Sequence, residues 1–382
     1  MTAPDHPWLP RCRAFAAEVI APHHVRFDRE NRFPDTIHEA AHDAGIINQD
    51  FPVALGGAGL DDELMVAGAE ALATACAPTA FTLGVNRGAL HPVLVAGNTD
   101  QKKVFVADLL AQRKYAALCL TEPEVSGSNL LGVESRAVRT DAGWLVSGIK
   151  SMVGNGGVAS LYMVLARAEI EGRNAGLTFF AVPRGDGVSV SANPDKLGFR
   201  AVETPTVTLD QVEITDDHRV GEIGSGAELM IETLASIRVG GAAVITGLVV
   251  GALLDALPWV ETRAVYGSTL LQKSHVQLQL GDLYGRLQAV RAMTREAATR
   301  RRTGAPYAEH AGIAKLHAST LAVDATAQIA QLFGWRGVVN DFPIQKRFRD
   351  ARQTPIFEGT SEIQRLNLFR RLWARYRDTG DL

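Results

Sequence analysis

Apolar residues in this chain keep a helical spacing, lose it between residues 116 and 215, and then recover it. In the first stretch, 14–20 and 37–47 carry apolar positions at helical spacing, and 61–75 is a run of helix formers. Pro22, Pro34, Pro52 and the cluster Gly56-Gly57-Ala58-Gly59 interrupt them. From 116 on, short β-branched and apolar runs take over, at 117–120, 144–146, 161–166, 177–182, 188–190 and 206–214. Turn residues such as Asp141-Ala142-Gly143 separate them, which predicts an antiparallel β-insert. After about 225, Val276, Leu280, Leu283, Leu287, Val290 and Met293 mark one helical stripe, with Ser274 as the expected N-cap. A further helix is predicted over 312–333, with Ile313, Leu316, Val323, Ala327 and Ala330 inward and Gly334 closing it. The expected fold class is α+β: a helical domain over 1–115, a β-barrel or sandwich over 116–224, and a helical bundle over 225–382.

Charge narrows the partners. Lys+Arg 39 against Asp+Glu 42 leaves a net −3, so no basic field invites a nucleic acid. Cys12, Cys76 and Cys119 are far apart and form no CxxC, which argues against a disulfide scaffold or a metal site. The first eleven residues are polar and proline-punctuated, without the apolar core of a signal peptide. The most hydrophobic run, 239–254, falls short of the ~20 residues a bilayer span needs, so a buried core helix is expected there. No membrane partner is expected, and a cytoplasmic location follows by default. The 36 glycines fall in short clusters, which mean either turns at positive φ or backbone approaching a ligand closely.

The motifs decide between those meanings. Leu120-Thr121-Glu122-Pro123-Glu124-Val125-Ser126-Gly127-Ser128-Asn129 resembles the flavin-contacting signature of the acyl-CoA dehydrogenase family. The likeness continues through Gly148-Ile149-Lys150 with Asn155-Gly156, and through Lys196-Leu197-Gly198-Phe199-Arg200. It extends to Arg263 with Tyr266-Gly267, to Arg349-Asp350-Ala351, and to the run from Ile356 to Gln364. Each match alone is weak; their order and spacing on a helix–β–helix layout carry the resemblance over nearly the whole chain.

The resemblance implies a C-terminal four-helix bundle and α,β-dehydrogenation of an acyl thioester with FAD as cofactor. A base takes the α-proton while the β-hydrogen leaves as hydride. The α-carbon is a weak acid, so such a site needs a carboxylate whose affinity for protons is raised by a dry setting. Glu358 stands at the family's catalytic glutamate. It follows the apolar Pro355-Ile356-Phe357 and precedes Gly359. By its residue type and place alone, it reads rather as a glutamate favoured at a helix N-terminus, and the resemblance reverses that reading. Some relatives carry the base immediately before Arg238, where this chain has Ile237, which cannot act as one.

Other roles come by the same resemblance. Leu120, Thr121 and Ser128 are expected along the flavin, and Ser128, Arg238 and Gly359 along the thioester substrate. Arg263, with Tyr266 in the same motif, is expected to reach the FAD pyrophosphate of a neighbouring subunit, where a guanidinium suits the dianion. Gln331, Thr360 and Glu362 are expected along the dinucleotide. The implied partners are an electron-transfer flavoprotein and further copies of the chain, as a dimer or tetramer. Gly224-Ser225-Gly226-Ala227-Glu228-Leu229 lacks the third glycine of a nicotinamide-binding fingerprint. The Arg300-Arg301-Arg302 run reads as a basic helix C-terminus without further function.

Several positions depart from the family. Met152 replaces a frequent tryptophan, Gly154 a hydroxyl residue near the flavin, Ser274 a common glutamine, and Ala235 an acidic CoA contact. These changes leave open an acyl group held on a carrier protein and, less favoured, an oxygen-using flavin oxidase or monooxygenase, against which Glu358 counts.

Overall fold

The computed structural model describes residues 6–381. In the N-terminal block, the helices Asp62–Ala75 and Ala77–Ala89 matter most to the site. Asp61 caps the first, its carboxylate accepting the Leu64 N–H at 2.9 Å.

The middle block is one sheet of β1 (Ala116–Cys119), β2 (Arg136–Thr140), β3 (Gly143–Lys150), β4 (Leu161–Ile170), β5 (Arg173–Pro183), β6 (Val188–Val190), β7 (Val207–Ile214) and β8 (Arg219–Val220). The order is β6-β7-β3-β2-β4-β5-β8, and β1 lies beside β4 as well. The expected antiparallel character holds for β2–β3, β3–β7, β4–β5 and β6–β7. It fails along one edge of β4, where β1 and β2 both run parallel to it. The long loop after β1 and the β2–β3 hairpin let the chain re-enter the sheet in the same direction. Trp144, Tyr162, Phe180 and Val207 fill the apolar layer on one side.

Four long helices follow: Gly226–Thr262, Ser274–Arg302, Ala308–Phe333 and Ser361–Thr379. The first absorbs the 239–254 run within 37 residues. That is long and apolar enough to cross a membrane; instead, most of its apolar stretch is buried inside the protein. Ala242, Ile245, Leu248, Val249 and Ala252 pack into a core shared with Ala314, Ala318, Leu321, Ala322 and Ala325. Small side chains let these backbones approach closely. Two local expectations are corrected. Ser274 is the first helical residue, and Lys273 sits at the cap without a side-chain bond. Ala327 is exposed, because the buried face runs through Ala325 and Ile329 instead.

Two of the sequence motifs turn out to be struts between blocks. Arg349 pairs with buried Asp28 at 2.6 Å and donates to the Leu197 carbonyl at 2.8 Å. Asp350 accepts the Phe199 N–H at 2.7 Å and the Lys346 ammonium at 2.6 Å. These bonds fix the 197–199 segment against the helical bundle.

Candidate active site

The three blocks enclose a cavity of about 920 Å³. Glu358 enters it from the turns between the helices Pro343–Ala351 and Ser361–Thr379. Its backbone is left-handed, with φ +56°, and Gly359 follows at +93°. A non-glycine residue holds that conformation only where its surroundings impose it. Here two cations hold the carbonyls. Arg238 Nε donates to the Glu358 oxygen at 2.9 Å, and Lys315 Nζ donates to the Gly359 oxygen at 3.0 Å.

The Glu358 side chain lies against Gly241 of the Gly226–Thr262 helix, where any Cβ would overlap its carboxylate. Oε2 is shut off from solvent and has no hydrogen-bond partner among the described residues. Burial pushes the carboxyl up to about 7, against the opposing pull of Lys315 and Arg238. Phe357 supplies the drying: its ring packs 5.3 Å from Phe81 and 5.3 Å from Phe199. Of the apolar lead-in, Ile356 is itself half-exposed and lines the cavity beside Phe357. Lys315 is fully buried, its ammonium 5.5 Å from the centre of the Phe357 ring, and burial lowers it to about 8. Ile237, at the alternative base position, packs against Gly88.

The wall facing the β-domain is built by Leu120, Thr121, Ser126, Gly127 and Ser128, with Met152 and Gly154 beside them. A buried ion pair holds this loop. Lys150 Nζ meets Glu122 Oε1 at 2.8 Å and donates to the Leu120 and Leu165 carbonyls. The Glu122 carboxylate also accepts the Glu134 and Ser135 N–H groups and the Ser135 hydroxyl. The Ser151 N–H donates to the Thr121 carbonyl at 2.7 Å, tying the loop to the Met152 segment. Thr204 also lines the cavity, but its hydroxyl is closed to solvent and has no hydrogen-bond partner among the described residues.

The structure therefore gathers Glu358, Leu120, Thr121, Ser128, Arg238, Gly359 and Thr360 around one space. Thr360 also caps the last helix, accepting the Ile363 N–H at 3.2 Å. Arg263, Tyr266, Gln331 and Glu362 lie outside it. Arg263 ends the Gly226–Thr262 helix, its guanidinium 5.7 Å from the centre of the Trp259 ring. Tyr266 and Gly267, both at positive φ, form the tip of a two-stranded hairpin, and Tyr266 is 98% exposed. Gln331 is exposed near the end of Ala308–Phe333, and Glu362 projects from the first turn of the last helix.

Other residues had been passed over. Lys315 is a lone cation in the alanine-rich buried face of its helix, a pattern that could have marked it. Arg301, from the supposedly functionless arginine run, turns inward. It pairs with Asp62, donates to the Ser236 hydroxyl at 2.9 Å, and lines the cavity. A helix C-terminus explains the run's composition and not the facing of its middle member.

Comparison with known proteins assigns the whole chain. The N-terminal, middle and C-terminal domains of acyl-CoA dehydrogenase match residues 8–113, 117–212 and 224–373. The mitochondrial short-chain specific acyl-CoA dehydrogenase of Bos taurus is 33% identical over 369 residues, covering 96% of this chain and 89% of that protein. The short-chain specific acyl-CoA dehydrogenase of Clostridium acetobutylicum is 29% identical, covering 93% and 94%. Among solved structures, butyryl-CoA dehydrogenase from Megasphaera elsdenii superposes with a TM-score of 0.90 at 28% identity, covering 94% and 95%. A chain from a study of the electron transferring flavoprotein of Acidaminococcus fermentans superposes with a TM-score of 0.91 at 27% identity, covering 95% and 96%. The chain thus belongs to the acyl-CoA dehydrogenase family, the FAD-dependent oxidoreductases of acyl thioesters.

Proposed function

We propose that Glu358 is the base that removes the α-proton of a short acyl-CoA thioester in this cavity. The observation that carries it is a carboxyl at the cavity wall, raised by burial to about 7, whose Oε2 is closed off against Gly241 without a hydrogen-bond partner among the described residues. Short acyl groups suit the similarity to short-chain specific relatives.

FAD, when bound, supplies the two-electron acceptor for the β-hydrogen. The residues present fit it: the Leu120–Ser128 loop, Met152 and Gly154 line the cavity, and nothing comes closer than 3.9 Å to where a Gly154 Cβ would stand. Arg238 and Lys315 hold the Glu358–Gly359 peptides so that the carboxylate stays aimed along Gly241. Phe357, Phe81 and Phe199 exclude water from it, which keeps it basic enough to take a proton from carbon. Arg238 itself lines the substrate side.

Arg263 and Arg336 both stand over the Trp259 ring, and Tyr266 and Gln331 are exposed outside the cavity. Their absence from the cavity lining supports the reading that they serve the cofactor of another copy in a homo-oligomer. Light scattering on the purified holoprotein tests that reading, and a monomer with full FAD refutes it. An electron-transfer flavoprotein is the proposed acceptor, in keeping with the similarity to a chain from such a study.

The decisive experiment is anaerobic mixing of the yellow holoenzyme with acyl-CoA and acyl-carrier-protein thioesters. Bleaching of the flavin by short acyl-CoA esters is the expected result. Bleaching by carrier-bound esters alone moves the substrate to a carrier protein, and no bleaching by any thioester refutes the reading.

A further inference from the structure

Past Glu358, the cavity runs between the helices Asp62–Ala75, Ala77–Ala89 and Gly226–Thr262. Its walls there are small or apolar, among them Val66, Ala69, Gly84 and Gly240. They do not stay apolar. Among the charged residues that line the cavity, Asp50, Asp62, Arg87 and Arg301 form two neighbouring pairs. Arg87 Nε stands 3.1 Å from Asp50 Oδ2, and Arg301 pairs with Asp62. The four sense one another as a single cluster, and burial raises Asp50 against the pull of Arg87.

The position along the helix gives the reach. Arg301 bonds the Ser236 carbonyl and hydroxyl, whereas the Glu358 carboxylate lies at Gly241. Five residues of helix rise about 7.5 Å. The charged wall therefore stands within the span of a short acyl tail whose α-carbon sits at Glu358.

A saturated tail pressed against that wall strips water from the charges and returns no hydrogen bond, which is unfavourable. A tail with a polar end restores one. Arg87 Nε is closed to solvent 3.1 Å from Asp50, and a terminal nitrogen lies 3.2 Å from His91 Nδ1, so the groups that meet a tail are the remaining guanidinium and carboxylate atoms of the cluster. Two arginines and two aspartates sum to zero, so no surplus cation is left for a carboxylate.

We propose that this chamber selects a short acyl thioester whose tail ends in a neutral hydrogen-bonding group, a hydroxyl or an amide, held at the Arg87–Asp50 and Arg301–Asp62 cluster. The proposal rests on the acyl thioester reading above and deepens it.

The test compares ω-hydroxypentanoyl-CoA, pentanoyl-CoA, hexanoyl-CoA and glutaryl-CoA. Two readouts are taken: the rate of anaerobic flavin bleaching at limiting ester, and equilibrium binding to the Glu358→Gln holoenzyme. A hydrogen bond to a charged, desolvated donor predicts that the hydroxy ester is favoured at least about tenfold over both alkyl esters. The double variant Asp50→Asn/Arg87→Met should reverse that preference. Equal or better use of the alkyl esters by the unaltered enzyme overturns the proposal while leaving dehydrogenation intact. Preference for glutaryl-CoA overturns the neutral end group. Failure of every thioester to bleach the flavin refutes both this proposal and the reading beneath it. The comparison in the unaltered enzyme decides the matter even if the double variant does not fold.

Discussion

The carboxylate of Glu358 occupies the volume that a side chain at Gly241 would fill. Gly241 is therefore part of the base's seat, although it carries no chemistry. Gly241→Ala should fold, since alanine favours helix over glycine, yet it must push the carboxylate aside. Misplacement on the ångström scale predicts a loss of roughly 10² in the rate of flavin reduction. Stopped-flow reduction, with circular dichroism as the folding control, checks this.

Glu358→Gln should retain FAD and abolish reduction. In the unaltered enzyme only the carboxylate form takes a proton, so the rate should climb with pH through about 7 and level off above. Because burial raises Glu358 above its ordinary 4.5, the folded apoprotein holds that proton more tightly than the unfolded chain. The stability arising from it is present in full below 4.5 and is lost as pH rises through about 7. Glu358→Gln should remove that slope from a series of thermal melts.

Lys315→Met removes a cation that pulls the Glu358 carboxyl down. The pH midpoint of flavin reduction should therefore move upward, by about one unit or more. A midpoint that stays in place, with only a uniform fall in rate, would assign Lys315 to the backbone hydrogen bond alone.

Lys150 and Glu122 are both buried, and each satisfies the other. Lys150→Met leaves a carboxylate stranded beneath the Leu120–Ser128 loop, at a cost of about 3–5 kcal/mol. The thermal midpoint should fall, and FAD should dissociate on gel filtration. Lys150→Met/Glu122→Met, which removes both charges, should recover part of the loss.

At Gly154 the nearest atom to an added Cβ is Phe81 Cε1 at 3.9 Å, an ordinary contact. Gly154→Ser should fold unchanged and place a hydroxyl in the cleft. A shift in the flavin absorption maximum, with the thermal midpoint within about 0.5 kcal/mol equivalent of the original, is the expected outcome.

Much of the fold could be read from apolar spacing, because the long helices and the buried strands carry strong patterns. β2 could not: Arg136–Thr140 buries one residue of five, too few for a pattern. The parallel pairs along β4 depend on where distant segments land, which no local spacing encodes. Glu358 was legible through its motif, but its left-handed backbone was not, since it is imposed by Arg238 and Lys315 from other helices. The charged end of the chamber joins Asp50, Asp62 and Arg87 of the N-terminal block to Arg301 of the C-terminal helices, a pairing no local spacing encodes. Alanines gave no hint of facing, as Ala327 demonstrates.

Gly84 and Gly240 each face the chamber with nothing within 4 Å of where a Cβ would stand. Both sit inside helices, where alanine is more favourable by about 1 kcal/mol. The hollow is thus maintained uphill: chance substitution toward a sturdier helix would fill it. Capacity here is an inherited trait encoded by omission, and one codon at either position would retune which substrates fit without disturbing the scaffold.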